Sequence, residues 1–275
     1  MTPLIIEAGR TEAHYWRDLW RYRDLFYFLA WRDLLVRYKQ TVIGVAWALI
    51  RPFLTMLIFV AIFSRVAGLT SGDIPYPILV LAGMLPWQFF STALSESSSS
   101  LVANANLITK IYFPRIILPA SSVIVAMVDF LITLLLLAAV MIWYQFMPTW
   151  RLLMLPIFVG LSLLAALGPG LLITALNVKY RDFRYVIPFV VQFGLYISPV
   201  GFSSAVVGEK FGSTIRLIYS LNPMVGVIDG FRWCLGGDTQ LDPVPFAVSI
   251  GLSLLFLAIG IRYFRSTEKS FADVI

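Results

Sequence analysis

Segment 31–53, WRDLLVRYKQTVIGVAWALIRPF, passes without a turn signal from a basic, aromatic-rich stretch into an apolar one. A hydrocarbon core about 30 Å thick is crossed by roughly 20 helical residues, and the run from Val42 to Phe63 is long enough to do so. Polar chain precedes it and almost entirely apolar chain follows. The chain therefore enters a bilayer here. Residues 17–40 are expected to form a helix lying at one membrane face. Arg21, Arg32 and Lys39 share one stripe of that helix, and Asp33 and Arg37 have the i,i+4 spacing of an ion pair. Such a stripe favours an anionic leaflet and also suits a docking partner.

Composition supports this reading. Charged residues make up 13% of the 275, about half the roughly 25% of a soluble domain, and the mean hydropathy is +0.84. Cys234 and His14 are the only cysteine and histidine, so neither an intrachain disulfide nor a cysteine zinc cluster is expected, and no metal site is assigned. The first 40 residues carry charges throughout, with no isolated apolar core before a small-residue cleavage site. The first span is expected to serve as an uncleaved insertion signal.

The predicted fold is an all-α polytopic membrane protein. A cytoplasmic segment 1–41 with the amphipathic helix precedes a transmembrane domain, 42–275. Its six spans are expected near 42–64, 77–101, 116–143, 152–178, 187–205 and 244–264. Gly168-Pro169-Gly170 is expected to break the fourth, and Pro188 and Ser198-Pro199 weaken the fifth. Six spans put both termini on one side. Fifteen basic residues then fall on that side, against Arg65, Arg151, Lys210, Arg216 and Arg232 on the other, so the positive-inside rule makes it the cytoplasm. The net charge of +6 is thus a topology signal spread over every inner loop, and no nucleic-acid partner is expected. Between spans five and six, 215–221 and 224–235 are semi-apolar and too short to cross. They suit either re-entrant gate helices or helices lying on the head groups.

Ionisable groups inside spans are costly and are candidates for function. Arg51 stands about nine residues, roughly 13 Å, into span one, and Asp129 about 13 residues, roughly 20 Å, into span three. Glu96 ends span two beside Ser95 and 97–100. An ion pair of Arg51 with Asp129 or Glu96 would fix helix packing; a polar path or a head-group contact is the functional alternative. The serine-rich end of span two, 91–100, points to close packing through small residues. Trp31, Trp87, Trp143, Tyr144, Trp150 and Tyr263 sit where an interfacial belt is expected. Trp47, Phe53, Phe59, Phe63, Phe193 and Tyr196 lie deeper, and aromatic faces can stack on sugar rings.

No phosphate-binding loop, dinucleotide fingerprint, zincin motif or serine-hydrolase motif is present. The loop between spans two and three, NANLITKIYFPR (104–115), reads as a short helix capped by Asn104 and stopped before Pro114.

That loop, with WRDLLVRYKQTVIGVAWALIRP, GMLPWQFF, LNVKYRDFRYVIPF, LNPMVGVIDGFRW and the C-terminal FRSTEKSFADVI, resembles the ABC-2 type permeases of polysaccharide and O-antigen exporters over nearly the whole chain. One departure is Arg51, before Pro52, where the family is commonly uncharged. The resemblance implies a half-channel in the bacterial inner membrane, working as a homodimer with two copies of a separate ATPase subunit. ATP and Mg would be bound by that partner; no cofactor is expected in this chain. The substrate would be a lipid-linked polysaccharide, typically on undecaprenyl diphosphate, moved from cytoplasm to periplasm. Asn104, Leu107, Lys110, Tyr112 and Arg115 would couple to the ATPase, with the Lys179–Arg184 loop as a minor contact. Trp47, Arg51, Phe53, Phe59, Phe193 and Tyr196 would line the path. Arg32, Arg37 and Lys39 would meet the lipid head group. Other readings are an exporter of teichoic acid, capsule, drug or lipid, a membrane enzyme acting on lipid-linked sugar, and a proton-coupled transporter using Asp129.

Overall fold

The computed structural model describes residues 15–39, 45–68, 74–180, 182–236 and 241–271. Arg10, His14, the first residues of the expected first span (42–44), Arg181 and the last four residues lie outside them. Among the described residues every regular element is helical. In apolar surroundings a helix satisfies its own backbone, which is why the long apolar runs adopt it.

Helices α1 (Tyr15–Arg21) and α2 (Arg23–Lys39) precede α3 (Val45–Phe59), which continues as a π-helical stretch, Val60–Val66. Next come α4 (Tyr76–Ala103), the short α5 (Ala105–Lys110), α6 (Ile117–Trp143) and α7 (Leu155–Lys179). After them, α8 (Phe183–Ile197), α9 (Ser204–Phe211), α10 (Ser213–Tyr219) and α11 (Pro223–Leu235) lead to α12 (Pro243–Thr267). Among the described residues, five helical stretches are long and apolar enough to cross a membrane: Ala46–Val66, Tyr76–Ala103, Ile117–Trp143, Trp150–Lys179 and Pro243–Ser270. Helix α4 is the most enclosed of them and packs on α3, α6, α7, α8 and α11.

The expected fifth span, 187–205, differs. Helix α8 has 15 residues, about 22 Å at 1.5 Å per residue, which is short of a hydrocarbon core. Ser198 is extended, at ψ 151°, because the residue before a proline is driven out of the helical region. The expected break in span four is absent: α7 runs unbroken through Pro169. Its glycines serve close packing instead. A Cβ on Gly168 would lie 2.5 Å from the backbone nitrogen of Leu257, and one on Gly260 would strike the carbonyl of Gly168. Helices α7 and α12 therefore cross backbone to backbone.

The serine-rich end of α4 packs as expected. Ser97, Ser98 and Ser100 are buried, and Thr174 and Asn177 of α7 donate to the carbonyls of Ser97 and Ser98, each at 2.8 Å. Trp87 departs from the expected belt: it is buried within α4, against Phe90 and Gly194. Of the two semi-apolar pieces, α10 is largely exposed, whereas α11 is packed among α4, α7 and α12. The Asn222 side chain accepts from Met224 N at 3.0 Å to start α11, and Pro223 occupies its first turn.

A second core gathers Tyr15, Leu29, Ile108, Phe113, Leu171, Val178, Phe264 and Phe271. It joins α1, α2, α5 and the ends of α7 and α12, so both ends of the described chain meet at the α5 end of the bundle.

The α7–α12 crossing generates a prediction. Gly260→Leu adds volume where backbone already touches backbone, and we expect a loss of about 1–3 kcal/mol or more, read as a lower midpoint of thermal unfolding in detergent. Gly251→Leu, with nothing within 4 Å of its Cβ position, leaves the midpoint unchanged.

Candidate functional site

Helix α2 does not stand apart from the bundle; it packs along α6. Its last turns carry the charges that hold it there. Arg37 reaches Glu96 on α4 at 2.8 Å and Asp129 on α6 at 3.0 Å, and the Tyr38 hydroxyl donates to the same Asp129. Burial, then that hydrogen bond, raises the Tyr38 phenol above its usual pKa, so it stays a donor at neutral pH.

Two expected pairs are corrected. The partner of Glu96 and Asp129 is Arg37, not Arg51. Asp33 pairs with its neighbour Arg32 at 2.7 Å and not with Arg37, because Arg37 is turned inward onto α4 and α6.

A cavity of about 230 Å³ opens beside this cluster, among α2, α3, α4 and α6. Arg37, Tyr38, Trp47, Arg51, Gln88 and Asp129 are among its lining residues. Two of the expected path residues, Trp47 and Arg51, thus meet the charged end of α2 in one place. The other four are elsewhere. Phe53 is exposed on α3. Phe59 is buried and, with Phe63, closes on Gly201, where a Cβ would lie 3.0 and 2.7 Å from their rings. Phe193 and Tyr196 stand on the exposed face of α8, 50% and 65% exposed.

The α5 end carries the second set. Arg32 donates to the Asn104 side chain at 3.0 Å, and Asn104 donates to the Ser100 carbonyl at 2.9 Å. The expected cap is therefore not formed: Asn104 stands at the N-cap of α5 with its amide spent on α2 and α4. Ile108 anchors α5 in the second core and Leu107 packs partly against it, while Lys110, Ile111 and Tyr112 are exposed. Arg115 turns inward. Its backbone N–H donates to Glu268 Oε1 at 2.6 Å, and its guanidinium donates to the Glu268 carbonyl. Arg265 lies 4.7 Å over the ring of Tyr15, and burial, then Glu268, pushes the Tyr15 phenol up. Lys39 is exposed.

Two residues that matter to the structure escaped the sequence reading. Glu268 was one charge among several near the C-terminus, and no local pattern marks its long-range bond to Arg115. Arg232, expected as an outer-loop positive charge, is 1% exposed. It donates to the carbonyls of Val200 at 2.8 Å, Phe202 at 2.7 Å and Leu79 at 3.3 Å. Tyr76 donates to the Gly201 carbonyl at 2.5 Å, and Ser204 donates to Asp229 at 2.5 Å. Three successive carbonyls of the irregular segment after Pro199 are thereby held. A charge inside the short apolar helix 224–235 was the available signal.

These contacts predict two outcomes. Arg37→Ala leaves two carboxylates facing each other and should cost about 1–3 kcal/mol, less than a fully buried pair because a third of the Arg37 side chain is exposed. Arg37→Ala with Glu96→Gln and Asp129→Asn should recover part of that loss, measured by thermal unfolding. Separately, Glu268→Gln keeps an acceptor for Arg115 N–H and should unfold above Glu268→Ala in the same assay.

Comparison with known proteins places this geometry in context. The profile of the ABC-2 type transporter family matches residues 24–235. The O-antigen export system permease protein RfbA of Myxococcus xanthus is 28% identical over 260 residues, covering 94% of this chain and 98% of that protein. An RfbA of Klebsiella pneumoniae is 28% identical over 254 residues, covering 92% and 95%. The polysialic acid transport protein KpsM of Escherichia coli is 24% identical over 252 residues, covering 87% and 92%.

Proposed function

From the premise that the chain belongs to the ABC-2 type transporter family, we propose that it is the permease subunit of an ATP-driven exporter of a lipid-linked, O-antigen-like polysaccharide. The observation that carries the mechanism is the double anchorage of segment 104–115. Asn104 is tied to Arg32 of α2, Arg115 is tied to Glu268 at the end of α12, and Lys110, Ile111 and Tyr112 remain exposed between them. A partner pressing on this exposed segment would act on α2 and α12 together.

In this reading the partner is an ATPase subunit that binds ATP and Mg, since the chain has no phosphate-binding loop. Asn104, Leu107, Lys110, Tyr112 and Arg115 form the coupling segment. Tyr112 and Lys110 make the contact from the exposed face; Asn104 and Arg115 transmit it. The α5 end is cytoplasmic, with both termini there, and α8 with the irregular chain after it makes a short sixth crossing. Convergence of Tyr15, Phe271 and the ends of α7 and α12 in one core supports that count.

Two copies of the chain complete the path. The exposed aromatic faces of α3 and α8, with Phe53, Phe193 and Tyr196, offer stacking surface to sugar rings without demanding one sequence. Phe59 stands at the end opposite α5, beside the segment held by Arg232. Of Arg32, Arg37 and Lys39, Lys39 is the most available to a lipid head group; Arg32 and Arg37 meet it only by sharing their carboxylates. The membrane is a bacterial inner membrane and transport runs from cytoplasm to periplasm.

Work can be transmitted only if the partner contacts 104–115 differently in two states. Tyr112→Ala and Leu107→Ala should therefore cut export of labelled glycan into the periplasm while membrane insertion stays intact. Normal export by both variants would remove the coupling role.

A further inference from the structure

The cavity among α2, α3, α4 and α6 contains two guanidiniums with different duties. Arg37 is occupied by Glu96 and Asp129. Arg51 lines the same cavity, is exposed, and has no carboxylate within ion-pair distance among the described residues. It stands about nine residues, roughly 13 Å, into the apolar run that begins at Val42. Its long side chain leaves the guanidinium in the cavity, where a lipid phosphate entering beside the charged end of α2 would meet it. The cavity also presents an unanswered acceptor. Gln88 lines it, and Gln88 Oε1 is buried with no hydrogen-bond partner among the described residues. Buried polar atoms in native proteins are nearly always paired, so an orphan beside a cavity points to a ligand. Trp47, 53% exposed, supplies an apolar wall.

We infer that this cavity binds a lipid phosphate on Arg51, with the hydrogen-bond donor next to that phosphate resting on Gln88 Oε1. A guanidinium matches phosphate oxygens with two parallel N–H donors. A cation alone would be repelled by Arg51, and a neutral sugar would leave Arg51 without a counter-charge. The charges of Arg37, Arg51, Glu96 and Asp129 cancel, so the pull on the anion is local to Arg51 and not a broad positive field. Arg37 and Tyr38 already donate to Asp129, so the group of this wall left unanswered is the acceptor Gln88 Oε1. The required neighbour of the phosphate is thus a donor group. A sugar hydroxyl of a glycosyl phosphate and the ammonium of ethanolamine both qualify, and they correspond to two sources, the cargo lipid and the bilayer. The cargo source rests on the export reading; the binding site itself does not.

The full-length protein, purified in mild detergent, is titrated with a polyprenyl phosphate sugar, with phosphatidylethanolamine, and with the uncharged polyprenol, and retained lipid is counted by native mass spectrometry. The wild type should retain a phosphate lipid and not the polyprenol. Arg51→Gln should weaken retention ~10-fold, Arg51→Lys much less, and Gln88→Leu several-fold. Preferential retention of the sugar phosphate marks the cargo as the source, and preferential retention of phosphatidylethanolamine marks the bilayer; both uphold the site. Retention by Arg51→Gln equal to wild type, or equal retention of the polyprenol, would overturn it. Thermal unfolding of both variants checks their fold. ATP-driven export by wild type with its ATPase separates the two proposals: export with no Arg51-dependent lipid overturns the site alone, and Arg51-dependent lipid without export overturns the export reading alone.

Discussion

Arg37 reaches from the end of α2 to carboxylates on two other helices, Glu96 on α4 and Asp129 on α6. Each of these three groups would be costly alone in apolar surroundings. Together they neutralise most of that cost, and they fix how the helix that precedes the first span sits against the bundle. The positions of Arg32 over Asn104, of Tyr38 on Asp129, and of Trp47 and Arg51 around the cavity all follow from that placement. A partly buried ion pair contributes little net stability when compared with an apolar replacement. Its value here is register: three elements distant in sequence are held in one arrangement.

At the opposite end the same problem has another solution. Arg232 is enclosed and gives its donors to backbone carbonyls of Val200, Phe202 and Leu79. Irregular backbone inside apolar surroundings leaves unpaired carbonyls, which is tolerated only where protein groups answer them. Arg232 and Tyr76 answer three in a row, and the segment after Pro199 is fixed against the π-helical end of the α3 stretch. Segments of π-helix are frequent at functional sites, and this one brings its Phe63, beside Phe59 at the end of α3, against Gly201. The bundle is thus pinned at both ends by arginines, one paired with acids and one with carbonyls, and its middle is held by the glycine-mediated crossing of α7 and α12.

Much of the architecture was legible in the residues. Long apolar runs predicted all five of the long helical stretches among the described residues. The expected fifth span is not one of them: 187–205 is apolar enough in sum, but Pro199 ends the helix, and composition averages over that event. Gly168-Pro169-Gly170 read as a break because glycine and proline disfavour an isolated helix. The tertiary structure overrides this, since a neighbour that needs the missing Cβ atoms compensates for the weaker helix. Trp87 read as a belt residue from its place in the run, and burial moved it inside.

By itself the sequence determined that the chain is a multi-helix membrane protein, which residues are charged within apolar stretches, and that segment 104–115 is a short helix ended before a proline. These depend on local chemistry: length against bilayer thickness, the cost of a buried charge, and the fixed φ of proline. Only the tertiary structure decided that Arg37 and not Arg51 answers Asp129, that Arg115 is tied to Glu268, and that Arg232 is inside. Those choices lie between groups tens to hundreds of residues apart along the chain, for which one-dimensional spacing carries no distance. They are settled by which helices pack side by side and by which donors then reach the available acceptors.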